Sequence, residues 1–520
     1  MLTLFHDIPL TAAQPRPDAT ALQTRRAHWS YADLADQVLR AGRGLHERGL
    51  TPGDRMAVYL DKRPETVAAL FAITLAGGIA VPVNPALKPQ QVNHVLTDCG
   101  ASGMITAGQR LTLLREQDAI PDTVTNALTL AVDDPDNGWP ALTDTPPTAP
   151  LPRRVETDPA LILYTSGSTG RPKGVVLSHR NLIAGVESVV SYLANTADDR
   201  ILAALPLSFD YGLNQVTTAL HAGGTAFLVD YLWPKELLRI MDDQRITGLA
   251  GVPPLWNQLV QGDWPAGIAS HLRYITNSGG KLPRSTLDRL RATLPQTRVV
   301  LMYGLTEAFR STYLPPEELD RRPDSMGQPI PNARIQVVHP DGATCAPGET
   351  GELVHSGPLV AMGYWNAPER TRERFRPAPG QPGELPLEQP AVWSGDLVQQ
   401  DEDGFLYFMG RRDDMIKSSG YRISPTEVEE ILHTTGLVED AAVVGVPHPV
   451  LGEGILALVT GPQAADTDAL RSACQKALPA FMVPGDILHE ADSLPRSPNG
   501  KIDREALRRR HQTHFTPDAD

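Results

Sequence analysis

Cysteine is scarce: three residues in 520, at Cys99, Cys345 and Cys474. They lie far apart and form no metal-ligand spacing. An odd count leaves no disulfide framework, so a reducing compartment is expected. No apolar run reaches the length needed to cross a membrane, and Met1 to Asp7 lacks a basic stretch followed by a long apolar core. A cytoplasmic chain with no membrane insertion is the expectation. Positive charge is also short: Lys and Arg total 47 against 61 Asp and Glu, a net charge of −14. That balance argues against nucleic acid or an anionic membrane as the main partner, while leaving room for a local basic pocket. There is no internal repeat and no low-complexity tract. What is present, 41% hydrophobic and 21% charged residues, is the composition of a globular protein. The length suggests roughly two to four domains.

Helical and strand-like segments alternate early in the chain. Ser30 can cap a helix carrying Tyr31, Leu34, Val38, Leu39 and Leu45, which Gly49 and Pro52-Gly53-Asp54 end. Met56 to Leu60 reads as a buried strand, Pro64 to Leu75 as a helix, and Ile79 to Val83 as a strand. This alternation predicts an α/β sheet with helices on its faces. Six prolines between Asp136 and Pro159 (Pro140, Pro146, Pro147, Pro150, Pro152 and Pro159) are expected to prevent a helix and make an extended connector. A second α/β block runs from Ala160 to about Pro329, then a β-rich stretch with turns at His339-Pro340-Asp341-Gly342 and Pro347 to Gly351. Pro377 to Pro390 reads as an exposed loop. The clearest boundary is Gly410-Arg411-Arg412-Asp413-Asp414. It divides a large domain, 1–412, from a small αβ domain, 413–520, with a helix from Thr426 to Leu432 and a strand from Ala441 to Val446.

The most informative stretch is Tyr164 to Gly174, Y-T-S-G-S-T-G-R-P-K-G, after the apolar run Ala160 to Leu163. Thr165, Ser166, Ser168 and Thr169 alternate with Gly167 and Gly170. Glycines let backbone N–H groups approach an anion, and hydroxyls add donors. Lys173 brings a mobile positive charge. This is chemistry for gripping a polyphosphate, though not the P-loop, which opens a helix after Gly-Lys-Ser/Thr. Pro172 before the lysine and Gly174-Val175-Val176-Leu177 after it place the loop between two strands.

Six further stretches follow: Pro206 to Gly212, Tyr303-Gly304-Leu305-Thr306-Glu307, Gly351-Glu352-Leu353, Trp393-Ser394-Gly395-Asp396, Gly410 to Lys417, and Pro495 to Asp503. With the glycine-rich loop they resemble, in order and over nearly the whole chain, the adenylate-forming superfamily. That superfamily holds acyl-CoA synthetases, the adenylation domains of nonribosomal peptide synthesis, and luciferases. Leu205 to Asn214 and Tyr303 to Pro316 are most similar to AMP-forming ligases associated with exosortase A gene clusters. The resemblance implies a large domain of doubly wound α/β subdomains plus a β-rich subdomain, with a small mobile α+β domain hinged near Asp413. It also implies a two-step reaction. A carboxylate attacks the α-phosphate of ATP, releasing pyrophosphate. A thiol, from CoA or the phosphopantetheine arm of a carrier protein, then displaces AMP.

In that scheme the loop Thr165, Ser166, Gly167, Ser168, Thr169, Gly170 and Lys173 would hold the β- and γ-phosphates. Glu307 would hold Mg²⁺, and Thr306 would touch the α-phosphate. Tyr303 and Gly304 would flank adenine, with Gly279 and Gly280 along its other side. Asp396 would accept the ribose hydroxyls and Arg411 would add charge there. Lys501 would serve adenylation and Gly420 the thioester step. Each has a plainer reading: Glu307 as a helix cap, Asp396 as a turn residue, Arg411 and Asp414 as a surface ion pair, Lys501 as a solvated lysine. His179 and His448 read as structural. Trp-Ser-Gly before Asp396 departs from the family's wording, and the residue before the glycine does not look essential.

The acyl pocket implied by the resemblance is Phe209, Asp210, Tyr211, Asn214, Gly251, Thr276, Ser278, Met302, Arg310 and Ser311. The set is polar and holds both signs of charge. An unpaired Asp or Arg against an aliphatic tail is costly. Unless they pair with each other, Asp210 suits a substrate ammonium and Arg310 a distal carboxylate. The expected substrate is a small polar acid, an amino acid ahead of a fatty or aryl acid. The reading from another class is a nucleotide-binding protein without catalysis.

Overall fold

The computed structural model describes residues 2–144, 150–165, 172–230, 233–384, 386–412, 414–418, 421–449, 451–461, 466–497 and 500–516. Three sheets organise them. The largest begins at the edge hairpin of Thr20–Gln23 and His28–Ser30, runs through parallel strands Thr225–Leu228, Arg200–Ala203, Gly248–Gly251, Tyr274–Asn277 and Arg298–Tyr303, and continues into the antiparallel β-rich region up to Arg334–Val338. A seven-stranded sheet has the order Gly363–Tyr364, Lys173–Ser178, Pro159–Thr165, Ile79–Pro82, Arg55–Tyr59, Gly103–Thr106, Thr129–Ala131. A five-stranded sheet is built wholly from residues after 415 and forms the core of the small domain.

Local sequence explains the elements. Ser30 and Asp33 form a reciprocal capping box on the helix Tyr31–Glu47, each satisfying an orphan backbone N–H. Pro64 starts the helix Pro64–Leu75, where its missing N–H costs nothing. Apart from Glu65 in its first turn that helix is buried from Pro64 to Leu75, and it packs on Tyr31–Glu47.

The proline-rich connector is not wholly extended. Trp139–Asp144 is helical, because Pro140 falls in its first turn, where no N–H is required. Nor does the connector separate two sheets. The strands Pro159–Thr165 and Ile79–Pro82 on either side of it are neighbours. Thr20–Gln23 crosses the other way to pair with Thr225–Leu228. The two α/β blocks are interleaved.

The helix Asp210–His221 packs on the strands Arg200–Ala203, Thr225–Leu228 and Gly248–Gly251 of the largest sheet and is buried from Asp210 to Leu220. Five of those residues, Asp210, Asn214, Gln215, Thr217 and Thr218, are polar. A buried polar group must find a partner, so this helix is where function is to be sought.

Three histidines are buried in the large domain. Burial holds His6 down at about 4, His179 at about 3 and His355 at about 3. The Nδ1 of His179 accepts from the Phe5 N–H at 2.9 Å, and His6 and His179 meet edge to face. Their folded-state pKa values lie below the unfolded value of about 6.5. Stability is therefore complete above pH 6.5 and falls as pH drops toward 4, because the unfolded chain binds the protons the fold refuses. At pH 5 each fully buried neutral histidine should cost roughly 2 kcal/mol. The urea midpoint should fall clearly from pH 7 to pH 5; an unchanged midpoint would contradict the neutral buried state.

Candidate active site

The loop from Tyr164 to Gly174 joins antiparallel strands, with Thr165 opposite Lys173. Ser166, Gly167, Ser168, Thr169 and Gly170 lie outside the described residues, as do the expected hinge Asp413 and Gly420. Thr165 Oγ1 is buried with no partner among the described residues.

Lys173 does not stand free. Its Nζ lies 3.2 Å from Glu307 Oε1 and 2.7 Å from the hydroxyl of Tyr364, which itself donates to Glu307 Oε1 at 2.6 Å. Burial opposes the charged form of Glu307, but Lys173, the Tyr364 hydroxyl and Arg374 outweigh it and bring the carboxyl down to about 2. Burial pushes Lys173 down, against the pull of Glu307. Tyr364 is a member of this cluster that sequence reasoning missed. It arrives through the pairing of Gly363–Tyr364 with Val176 and Val175, a long-range contact with no local signature.

After Glu307 the chain turns sharply. Phe309 has φ +56° and ψ −55°, and the Arg310 N–H bonds to the Ala308 carbonyl at 2.6 Å. This is the rare three-residue turn that strains a non-glycine residue. It sends Glu307 toward Lys173 and Arg310 toward Asp210.

There the pairing of the two charges, the alternative to a free Asp210 and a free Arg310, is what the structure shows. Arg310 Nη1 pairs with Asp210 Oδ2 at 3.1 Å, and both side chains are almost wholly buried. Asp210 also accepts from Thr306 Oγ1 at 3.3 Å. Burial pushes the Asp210 carboxyl up, while Arg310, Lys501 and Thr306 pull against it. Asp210 opens a helix rather than lying on a strand.

Asp396 lies on the strand Pro390–Gln400, directly across from Arg411. It accepts from the Tyr303 hydroxyl, and Arg411 Nε approaches it to 2.9 Å. Arg411 thus pairs with Asp396 rather than with Asp414. Ser394, expected to be dispensable, accepts from the Asp396 N–H at 3.1 Å and donates to the Leu353 carbonyl at 2.7 Å. Glu352 accepts from the Gly395 N–H at 2.8 Å and pairs with Arg412 at 3.1 Å. The Gly351-Glu352-Leu353 motif therefore sets the turn that carries Asp396.

Lys501, which alone would be a solvated surface lysine, reaches into this cleft. Its Cε lies 3.9 Å from where a Cβ on Gly279 would stand, and Gly279 has φ +81°. It remains exposed to solvent. Even so, the surrounding protein and Arg411 push its pKa down, and Asp210, Asp396 and Glu307 pull it back. A tight turn presents it: Ser497 N–H bonds to the Lys501 carbonyl at 2.7 Å and Arg496 to the Gly500 carbonyl at 2.7 Å. Arg496 also pairs with Asp440. Lys281 clamps the small domain nearby through Glu430 at 2.7 Å and reaches Asp324 at 3.2 Å.

The expected acyl pocket divides. Tyr211, Asn214, Thr276 and Met302 line one cavity, joined by Val189, Gln215 and Tyr274, which the sequence reading did not include. Gly251 instead lies beneath the Trp256 indole, which a Cβ would strike. Ser311 is held by His355 Nδ1 at 2.9 Å. Phe209 packs edge-on to Tyr211, and Ser278 is buried beside Gly251.

Among the described residues, no helix is long and apolar enough to cross a membrane. The family described as AMP-binding enzyme matches residues 10–365, and the AMP-binding enzyme C-terminal domain matches 427–501. A feruloyl-CoA synthase from an Amycolatopsis species is 33% identical over 96% of this chain and 98% of that protein. Tyrocidine synthase 3 of Brevibacillus parabrevis is 30% identical over 95% of this chain but 7% of its own length. The ATP-bound structure of MatB from Rhodopseudomonas palustris, 27% identical, superposes with a TM-score of 0.88 over 99% of this chain and 100% of that one; its apo form gives 0.76.

Proposed function

The chain belongs to the AMP-binding enzyme family within the adenylate-forming superfamily, and from that premise we propose that it is an ATP-dependent acyl-CoA ligase for a small acid that carries no amino group. The carboxylate oxygen attacks the α-phosphorus of ATP and pyrophosphate leaves. The sulfur of CoA then attacks the acyl carbon and AMP leaves. The observation that carries the reading is Lys501 of the small domain lying in one cleft with Asp210, Glu307, Asp396 and Arg411 of the large domain. A chain that had lost catalysis would not need all five together with Lys173.

The donors fit the substrate. Asp396, beside Tyr303 and Arg411, offers carboxylate oxygens to ribose hydroxyls. Gly279, Gly280 and Gly304 leave backbone room around a flat ring. The buried, unpartnered Thr165 hydroxyl and the Lys173 ammonium suit phosphate oxygens. Thr306 suits the α-phosphate, and Lys501 offsets the repulsion between the two anions that must meet. Glu307 would hold Mg²⁺, a hard cation that prefers carboxylate and phosphate oxygen and neutralises charge on the leaving pyrophosphate.

The amino-acid reading rested on a free carboxylate at Asp210. Arg310 occupies that carboxylate, which favours a non-amino acid, in keeping with the feruloyl-CoA synthase among the relatives. Pyrophosphate exchange over a panel of aryl, short aliphatic, dicarboxylic and amino acids tests this, followed by thioester detection with CoA and with a phosphopantetheinylated carrier protein. Exchange confined to amino acids, with transfer only to the carrier, would overturn the substrate and acceptor together.

Tyr364 acts here as a positioning residue that aims Glu307. Tyr364→Phe should raise the Mg²⁺ concentration for half-maximal exchange about tenfold. Calorimetry should show the same loss as weaker binding of MgATP, with metal-free ATP binding unchanged. Equal weakening of both nucleotides would contradict the assignment.

A further inference from the structure

The helix Asp210–His221 holds five buried polar residues, and three are accounted for. Asp210 pairs with Arg310. Thr217 and Thr218 both donate to the Asn214 carbonyl, at 3.3 Å and 2.7 Å. The next two are not. Asn214 Nδ2 and Gln215 Oε1 are buried with no partner among the described residues. The Gln215 amide nitrogen is already spent on the Tyr211 carbonyl at 3.2 Å. Leaving such an atom unsatisfied forfeits its hydration without return, so two on consecutive residues need an explanation.

Both residues line the same cavity. Its other walls include Val189, Leu193, Met302, the rings of Tyr211 and Tyr274, and Thr218 and Thr276, whose hydroxyls are engaged with the Asn214 carbonyl and with Tyr211. The polar groups of both rings are already engaged: Tyr211 with Thr276 and Tyr274 with Asn195. The cavity measures about 20 Å³, the size that one water molecule or one hydroxyl group fills. Two residues of its wall therefore each carry an unused polar atom, one a donor and one an acceptor.

The position relates to the reacting end. Asn214 follows Asp210 by four residues, a rise of about 6 Å along a helix. Asp210 marks the level of Thr306, whose hydroxyl donates to it at 3.3 Å. The hole is therefore roughly one helical turn below the place where a carboxylate meets the nucleotide.

We propose that this cavity recognises a hydroxyl group at the far end of the acid, roughly 6 Å from its carboxylate, with Asn214 Nδ2 donating to the hydroxyl oxygen and Gln215 Oε1 accepting its hydrogen. The inference rests on the ligase reading above and specifies its substrate. A hydroxyl is the smallest terminal group that answers both atoms, and a cavity of about 20 Å³ has no room for a carboxamide or a carboxyl. An ammonium cannot accept and leaves Asn214 unpaired. A carboxylate cannot donate and leaves Gln215 unpaired. A methyl leaves both. The class is a short ω-hydroxy acid or a single-ring acid hydroxylated opposite its carboxyl.

Matched pairs test it: 4-hydroxybenzoate against benzoate, and 5-hydroxypentanoate against pentanoate. The readout is pyrophosphate release with the adenylate trapped as hydroxamate. The hydroxylated member should be used about tenfold to a hundredfold better in kcat/KM, the effect of leaving the buried amides unpaired. In Asn214→Leu the preference should collapse to within about threefold, with the hydroxylated member losing more than the unsubstituted one; unchanged MgATP binding by calorimetry reports that the variant folds. Turnover without hydroxyl preference, or a preference that survives Asn214→Leu, overturns the inference and leaves the ligase reading standing. No adenylate from any acid, in a chain that still binds MgATP, overturns both.

Discussion

Lys501→Ala is expected to slow acyl-adenylate formation by about 10²–10³-fold and to leave thioester formation from a supplied acyl-adenylate close to the unaltered rate. The asymmetry follows from where the charge is needed. In the first step a carboxylate oxygen approaches an α-phosphate that already carries negative charge. The protein offers no covalent help, so the barrier is lowered by positioning and by fixed positive charge. Lys501 is held by its turn in a cleft with Asp210, Asp396 and Glu307, so its positive charge stands where the two anions meet. In the second step the acyl carbon is attacked by a thiolate and AMP leaves, and the lysine of the small domain has no part. Arg496→Ala should give a weaker version of the same defect, since Arg496 only holds the turn that presents Lys501. Single-turnover assays of the two half-reactions separate the effects. Equal loss in both would mean that Lys501 supports the fold of the small domain rather than the chemistry.

How much of this site the sequence disclosed depends on whether a residue's partner is local. The cap that Ser30 places on its helix, the loop between two strands from Tyr164 to Gly174 and the helix near Thr426 to Leu432 are written in neighbouring residues, and they read correctly. Asp396 and Arg411 were recognised one by one through their motifs, and the antiparallel register that sets them opposite each other is the ordinary consequence of a strand, turn and strand. Tyr364 was not legible, because nothing around it says that its strand adds to the edge formed by Val175 and Val176. The interleaving of the two α/β blocks was not legible for the same reason: parallel neighbours are joined by long crossovers, and sequence proximity does not decide their order. Pro140 was misread because a count of prolines ignores position, and a first-turn proline favours a helix. Gln215 escaped because a polar residue on a helix reads by default as solvent-facing. Only the burial of that helix from Asp210 to Leu220 makes its amide matter.

Arg310→Met is expected to destabilise the large domain by about 3–5 kcal/mol, read as a fall in its urea midpoint, because it leaves Asp210 charged, buried and alone. Asp210→Asn together with Arg310→Met should recover most of that loss, since a neutral amide can keep the Thr306 contact without an uncompensated charge. The reasoning is electrostatic. Both side chains are at most 4% exposed, so each depends on the other for the solvation it gave up. The guanidinium is also stacked on the Tyr211 ring, 4.5 Å from its centre, which fixes its plane toward Asp210. The same pair decides the substrate question from the other side. If Arg310→Met costs less than about 1 kcal/mol, the carboxylate of Asp210 is not committed to Arg310 and is free to receive an ammonium group. In that case Arg310→Met should gain pyrophosphate exchange with amino acids. If the cost is large and the double variant restores it, Asp210 belongs to the fold, and the acid must be recognised deeper in the pocket, at Asn214 and Gln215.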